Sequence, residues 1–96
     1  VEPKPQPDWS VYIVRCADGS LYTGVSNDVR ARLEAHNSGK GAAYTRARRP
    51  VRLRHLETGL TRSEALVREA AIKALPRAQK QLLAREPEWP SSVARD

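Results

Sequence analysis

The apolar pattern begins with two runs rich in β-branched and aromatic residues, WSVYIVRC (9–16) and SLYTGV (20–25), separated by Ala17-Asp18-Gly19. Runs of this kind around an Asp-Gly pair signal a β-hairpin. Loop length then decides where the tyrosines point, because side chains alternate between the faces of a strand. A two-residue Asp18-Gly19 turn pairs Cys16 with Leu21 and sends Tyr12 and Tyr22 to opposite faces. A three-residue loop, with Gly19 left-handed and forming a bulge, sets Cys16 against Ser20, Val14 against Tyr22 and Tyr12 against Gly24. The three-residue loop is favoured. It puts both tyrosine rings on one face, with space beside Tyr12 at Gly24, and leaves Val11, Ile13, Leu21, Thr23 and Val25 as a mostly apolar second face.

After the hairpin the period changes. Ser26 or Asn27 is expected to cap a helix of about ten residues that Gly39 ends. Val29, Leu33 and His36 form a stripe at i, i+4, i+7, with Arg32 one turn before His36 at its edge. The segment SGKGAAYTRARRP (38–50) reads as a basic connection with a short helical turn around Ala42 to Arg46. VRLRHLET (51–58) alternates as a third, half-buried strand, on which His55 reads as structural. Thr61 opens the next helix and, with Glu64, makes a capping box. That box explains Glu64 and leaves Glu69 unexplained. At about 100° per residue, Glu69 and Lys73 lie close to Leu66, on a border of the packed face. Pro76 breaks this helix, and RAQKQLLA starts another from a first-turn proline. The predicted fold is α+β: a three-stranded, mainly antiparallel sheet flanked by three helices.

With 96 residues the chain has room for one domain. The folded unit is expected over residues 9–84, between a flexible proline-rich tail at 1–8 and a C-terminal tail at 85–96, where Trp89 is a candidate to pack back. There is no Phe or Met, so Leu, Val, Ala, Tyr and Trp must fill the core. The single cysteine, Cys16, rules out an internal disulfide and a multi-cysteine zinc site, and its place in an apolar strand suggests a small buried hydrophobe. No apolar run approaches the roughly 20 residues of a membrane span, and the start does not resemble a signal peptide. The expectation is a soluble cytoplasmic protein.

Charge narrows the class of partner. Seventeen cations against eleven acids give a net charge of +6. The excess is concentrated: eight cations fall between Arg30 and Arg54, where Glu34 is the one acid. Such a cluster favours a polyanion, and nucleic acid is the usual one. Lys40, Tyr44, Arg46, Arg48 and Arg49 are candidate backbone contacts, with Tyr44 available to stack on a base, and Lys73 is a further candidate on the later helix. A solvated basic loop is the plainer alternative. SGKGAAYT lacks the first glycine and the Gly-Lys-[ST] ending of a nucleotide-binding P-loop.

Taken singly, the candidate residues have ordinary explanations. Tyr12 and Tyr22 fit as core aromatics, Arg32 as a partner for a surface acid, His36 as a complement to a helix C-terminus, and Glu69 with Lys73 as an i, i+4 ion pair. Their order and spacing together say more. Ser10-Val11-Tyr12, Tyr22-Thr23-Gly24, Arg32, His36 and the later Glu69 resemble the GIY-YIG nuclease family over residues 9 to 84. The likeness is closest to its small single-domain bacterial members, which share a leading Trp, a YTG second motif and an SGKGA segment. Ser10 stands where a glycine is usual, and Thr23 where an isoleucine is usual.

The resemblance implies a DNA endonuclease that hydrolyses phosphodiester bonds with one divalent cation, Mg²⁺ or Mn²⁺, held by Glu69. It further implies a role at branched, flapped or damaged DNA in repair or recombination, with a protein partner as one source of specificity. Arg32 would bind the phosphate as a permanent bidentate cation. Tyr22 is the implied general base, with Tyr12 orienting the water or contacting the phosphate. A tyrosine near its reference pKa of about 10 is a poor base at neutral pH, whereas His36 is chemically better placed. Both assignments stay open on the residues alone. A basic nucleic-acid-binding module with a silent site is the main alternative, and a protein-interaction domain for an acidic partner is a third.

Overall fold

A computed structural model of the protein describes residues 7–85. The tail expected at 1–8 lies almost entirely outside the described residues, as does Trp89 with all but the first residue of the 85–96 segment. Three strands, β1 (Trp9–Arg15), β2 (Leu21–Ser26) and β3 (Arg52–Leu60), form one sheet in the order β2-β1-β3. Both pairings are antiparallel. Four helices accompany them: α1 (Val29–Asn37), α2 (Ala43–Arg46), α3 (Arg62–Lys73) and α4 (Arg77–Leu83). Among the described residues the flanking helices therefore number four rather than the expected three, because the turn near Ala42 closes into α2. Among the described residues, no helix is long and apolar enough to cross a membrane.

The hairpin takes the three-residue form. Val14 faces Tyr22 and Tyr12 faces Gly24, while Gly19 sits at φ 86°. The Gly19 amide donates to the Cys16 carbonyl and the Cys16 amide to the Ser20 carbonyl. Central in the sheet, β1 is covered on both sides, which is why VYIV is unbroken by a polar residue. Val11 and Ile13 join Ala65, Ile72 and Ala84 in one cluster, with Leu21, Val25 and Leu60 packed against it. Tyr12, Val14 and Cys16 join Val51 in the other, covered by Tyr22, Val29, Leu33, Leu53 and Leu56. Cys16 is thus a buried core residue, as its strand position suggested, and burial raises its thiol pKa. β3 runs two residues past the expected 58, and Leu60 pairs with Trp9 across a shifted register.

Local boundaries differ from expectation at two points. Asp28, not Ser26 or Asn27, caps α1: its carboxylate accepts from the Ala31 amide at 3.1 Å. Ser26 instead accepts from the Asp28 amide at 2.8 Å and ends β2. Pro76 stands at the N-cap of α4, one place before the first helical position. Its carbonyl accepts from the amides of Gln79 and Lys80, which a proline can do without needing an N–H. The other ends match their residues. α1 closes in a Schellman motif, with Lys40 N–H on Ala35 O, Gly39 N–H on His36 O and Gly39 at φ 86°. Thr61 and Glu64 form the reciprocal capping box of α3.

Candidate active site

Tyr12 rises from β1 into the layer between the sheet and α1, where its hydroxyl meets Nε2 of His36 at 2.9 Å. His36 is fully buried, at the last turn of α1. Its Nδ1 lies 2.8 Å from the hydroxyl of Thr45, on α2. Thr45 is equally buried, and its hydroxyl donates to the Ala42 carbonyl at 3.0 Å. A hydroxyl has one proton, so the Thr45 oxygen can only accept from His36. Nδ1 therefore carries the imidazole proton, Nε2 is left as an acceptor, and Tyr12 donates to it. A directed line of three hydrogen bonds runs from Tyr12 to the backbone of α2.

The surroundings hold both rings in their neutral forms. Burial raises the Tyr12 phenol to about 12, helped by the negative charges of Tyr22, when ionised, and Glu69; Arg32 works in the opposite direction. Burial also lowers the pKa of His36, and the Arg32 cation beside it adds to the effect. Arg32 and Glu69 are thus both within electrostatic reach of the Tyr12 oxygen. Two glycines make the close packing possible. A Cβ on Gly24 would lie 2.5 Å from the Tyr12 hydroxyl oxygen. One on Gly41 would run into the His36 ring and come within 2.8 Å of its Cα.

Tyr22 shares this wall. Its ring meets His36 edge-on, centroids 5.4 Å apart, and lies nearly parallel to Tyr44 at 6.0 Å. The expected face-sharing of the tyrosines is therefore seen, and Tyr12, Tyr22 and His36 form one aromatic corner. Glu69, from α3, has a side chain 20% exposed and pairs with Lys73 at 3.2 Å, so the i, i+4 ion pair is also present. Among the described residues, no group of three or more His, Cys, Asp or Glu side chains could hold a metal ion.

The basic segment divides. Arg48 is engaged internally: it bonds Asp18 at 3.1 Å and the Tyr44 carbonyl at 2.8 Å, and lies 4.0 Å over the Tyr44 ring. Tyr44 thus already has Tyr22 and Arg48 as neighbours. Arg49 donates to the Arg46 carbonyl, and with Arg46 it lines an open cleft of about 540 Å³ beside Asn37 and Pro50. Lys40 is exposed at the end of α1. His55 is buried in the sheet and hydrogen-bonds Glu57 at 2.8 Å, away from the tyrosine corner.

Sequence reasoning missed Thr45 and Gly41 as parts of the site. Gly41 lies in the loop after α1 and Thr45 on the four-residue α2, so neither shows in a strand or helix period. The available signal was composition: a glycine and a threonine in an otherwise basic, Ala-rich segment.

The GIY-YIG catalytic domain matches residues 8–82 of the chain. A UPF0213 protein of Staphylococcus epidermidis is 61% identical over 70 residues, which is 73% of this chain and 85% of that protein. One from Staphylococcus aureus is 57% identical over 76 residues, covering 79% and 93%. The solution structure of a UPF0213 protein from Bacillus halodurans superposes with a TM-score of 0.51 at 45% identity, covering 78% of this chain and 80% of the other. A protein from E. faecalis gives 0.53 at 43%, covering 84% and 83%. With its tyrosine corner and its three-stranded sheet, the chain belongs to the GIY-YIG family of nucleases, among the small proteins designated UPF0213.

Proposed function

We propose that the protein is an endonuclease that hydrolyses DNA phosphodiesters at the corner formed by Tyr12, Tyr22, Arg32, His36 and Glu69. The observation that carries this reading is the directed line Tyr12–His36–Thr45, with Arg32 and Glu69 acting on the same phenol. Hydrolysis needs a proton taken from water and charge placed on the phosphate. A phenol held near 12 does not supply a standing phenolate at neutral pH. It can, however, accept the proton of water on its oxygen as its own proton passes to His36 Nε2. On this route His36 is the final proton acceptor and Tyr12 the group facing water, which exchanges the roles the resemblance suggested for the two tyrosines. Tyr22 packs the histidine in place and borders the phosphate. Arg32 holds the phosphate oxygens by charge-assisted hydrogen bonds and keeps His36 neutral until the proton arrives.

A divalent cation suits Glu69 by donor chemistry. One partly exposed carboxylate is a hard oxygen donor, enough for Mg²⁺ or Mn²⁺ that keeps most of its ligands as water and phosphate oxygen. Such an ion would supply Lewis-acid stabilisation of the developing charge. Lys73 would then give up its ion pair to Glu69 and become free for the DNA backbone. Lys40, Arg46 and Arg49 would lead the strand in, while Arg48 braces Tyr44. With no second reading module among the described elements, sequence selectivity would be low. Selection of branched or damaged DNA in repair, with or without a protein partner, belongs to the same reading.

The test incubates wild type, Arg32→Ala and Glu69→Ala with single-stranded, duplex and branched DNA in Mg²⁺ or Mn²⁺. Cutting by wild type, lowered at least a hundredfold in both variants, is expected. Equal cutting by all three would refute the site. The Glu69–Lys73 ion pair favours one second reading, a DNA-binding module whose carboxylate is already occupied. That reading predicts salt-sensitive binding, no cutting by wild type, and no effect of Glu69→Ala.

A further inference from the structure

We infer that a second cleft, at the hairpin end of the sheet, binds a phosphodiester of the same DNA strand a few nucleotides from the cleaved bond. The inference rests on the nuclease reading above. Ser20, Leu21, Tyr44, Arg77, Lys80 and Gln81 line the cleft, whose volume is about 240 Å³. That is below the roughly 300 Å³ at which small-molecule sites begin, and suits one sugar-phosphate unit of a longer ligand.

Its charge is one-sided. Arg77 and Lys80, at i and i+3 of α4, project from the same helix face, and among the described residues no acid lines the cleft. The hairpin carboxylate, Asp18, borders the cleft through Ser20, and both its oxygens are engaged: Oδ2 by Arg48 and Oδ1 by the amide and hydroxyl of Ser20. Behind Gln81 stands a third cation: Arg15 donates to the Gln81 side-chain oxygen at 3.3 Å, and its buried Nε has no hydrogen-bond partner among the described residues. Among the described residues, these three cations have no carboxylate paired to them, which leaves an anion to be supplied from outside. The side-chain amide of Gln81 is a suitable neutral donor.

Its position identifies which anion. Tyr44 is a wall of the cleft and also stacks on Tyr22 at 6.0 Å, and Tyr22 meets His36 at 5.4 Å. At a rise of about 3.4 Å per nucleotide along a strand, the cleft and the tyrosine corner are separated by a few nucleotides. A strand whose scissile phosphate lay at Arg32 would pass the Tyr44 edge and bring a later phosphate to Arg77 and Lys80.

The experiment uses the full chain with Glu69→Ala, so that the strand stays intact, and an oligonucleotide of about 12 nucleotides. Binding is followed by fluorescence anisotropy across salt concentrations, and by the backbone amide signals of Ser20, Leu21 and Gln81. The inference expects Arg77→Ala/Lys80→Ala to weaken binding about tenfold and to flatten the salt slope by about 1. It expects the three amide signals to move with the oligonucleotide. The control, Arg62→Ala, sits against Trp9 at the far end of β1 and should leave both readouts unchanged. Lys80→Gln, which keeps the stem and removes the charge, serves if the double variant does not fold.

Unchanged affinity and slope in the cleft variants, with binding lost on Arg46→Ala/Arg49→Ala, would overturn the cleft and leave the nuclease reading standing. Thymidine monophosphate moving the cleft amides as effectively as the strand would overturn the strand assignment in favour of a free-nucleotide site. DNA bound through the cleft but never cut by wild type would keep the strand-binding site and sink the catalytic reading, together with the site's placement relative to a cleaved bond. No DNA binding by wild type overturns both.

Discussion

Thr45 does more for the candidate chemistry than its hydroxyl alone suggests. Because its proton goes to Ala42, it dictates which nitrogen of His36 is protonated and hence which way the Tyr12 proton points. Thr45→Val keeps the shape and removes the acceptor, leaving a buried N–H unpaired at a cost of about 1–3 kcal/mol. The expected result is a mixed or inverted His36 tautomer, read from the ring nitrogen shifts, and a drop in DNA cutting that Thr45→Ser restores. Retention of the Nδ1–H tautomer in Thr45→Val would contradict the assigned line. None of this was visible in the sequence, because one threonine in a single four-residue helical turn has no period to distinguish it. Tyr12, Tyr22 and His36 were visible, since strand and helix periods place them directly.

At the scale of elements, the hairpin was the most legible part. Asp-Gly in a three-residue loop leaves few alternatives, and the pairing of Tyr12 with Gly24 follows from it. Helix ends were less legible where several capping residues adjoin. In Ser26-Asn27-Asp28 each side chain can cap, and three-dimensional direction selects Asp28. The α3 start carried a longer signature, Thr61 with Glu64, and formed as read. That start matters because α3 carries Glu69 two turns further on and lies across β1 and β2. Thr61→Ala should cost about 1 kcal/mol in chemical denaturation, with faster amide exchange confined to the first turn. A loss of several kcal/mol would mean that the cap also fixes how α3 packs.

For the whole molecule, the buried pair predicts how stability follows pH. Folding holds His36 below its ordinary pKa of 6.5, so between that value and the lower folded one the unfolded chain binds the extra proton. This contribution is complete above about pH 6.5 and is lost as the pH falls toward the folded value. Tyr12 has the opposite sign: raised from 10 to about 12, it adds stability below pH 10 that disappears as the pH climbs to 12. Thermal melting across pH should show a plateau between these limits, and His36→Gln should remove the part of the acid-side fall that belongs to this group. An acid limb unchanged in that variant would place the proton uptake elsewhere, for example at the Glu57 carboxylate held down by Arg68.

The central position of β1 has a consequence for how such a protein can change over generations. Tyr12 is at once a keystone of one core cluster and the outermost group of the proton line. A lineage drifting toward a purely binding role cannot discard the chemistry there by a neutral surface change. Replacing Tyr12 by Phe leaves the buried Nε2 of His36 without its donor, and replacing His36 opens a gap against Gly41. Inherited architecture of this kind resists the loss of the Tyr12–His36 pair whether or not selection for the proposed chemistry is maintained.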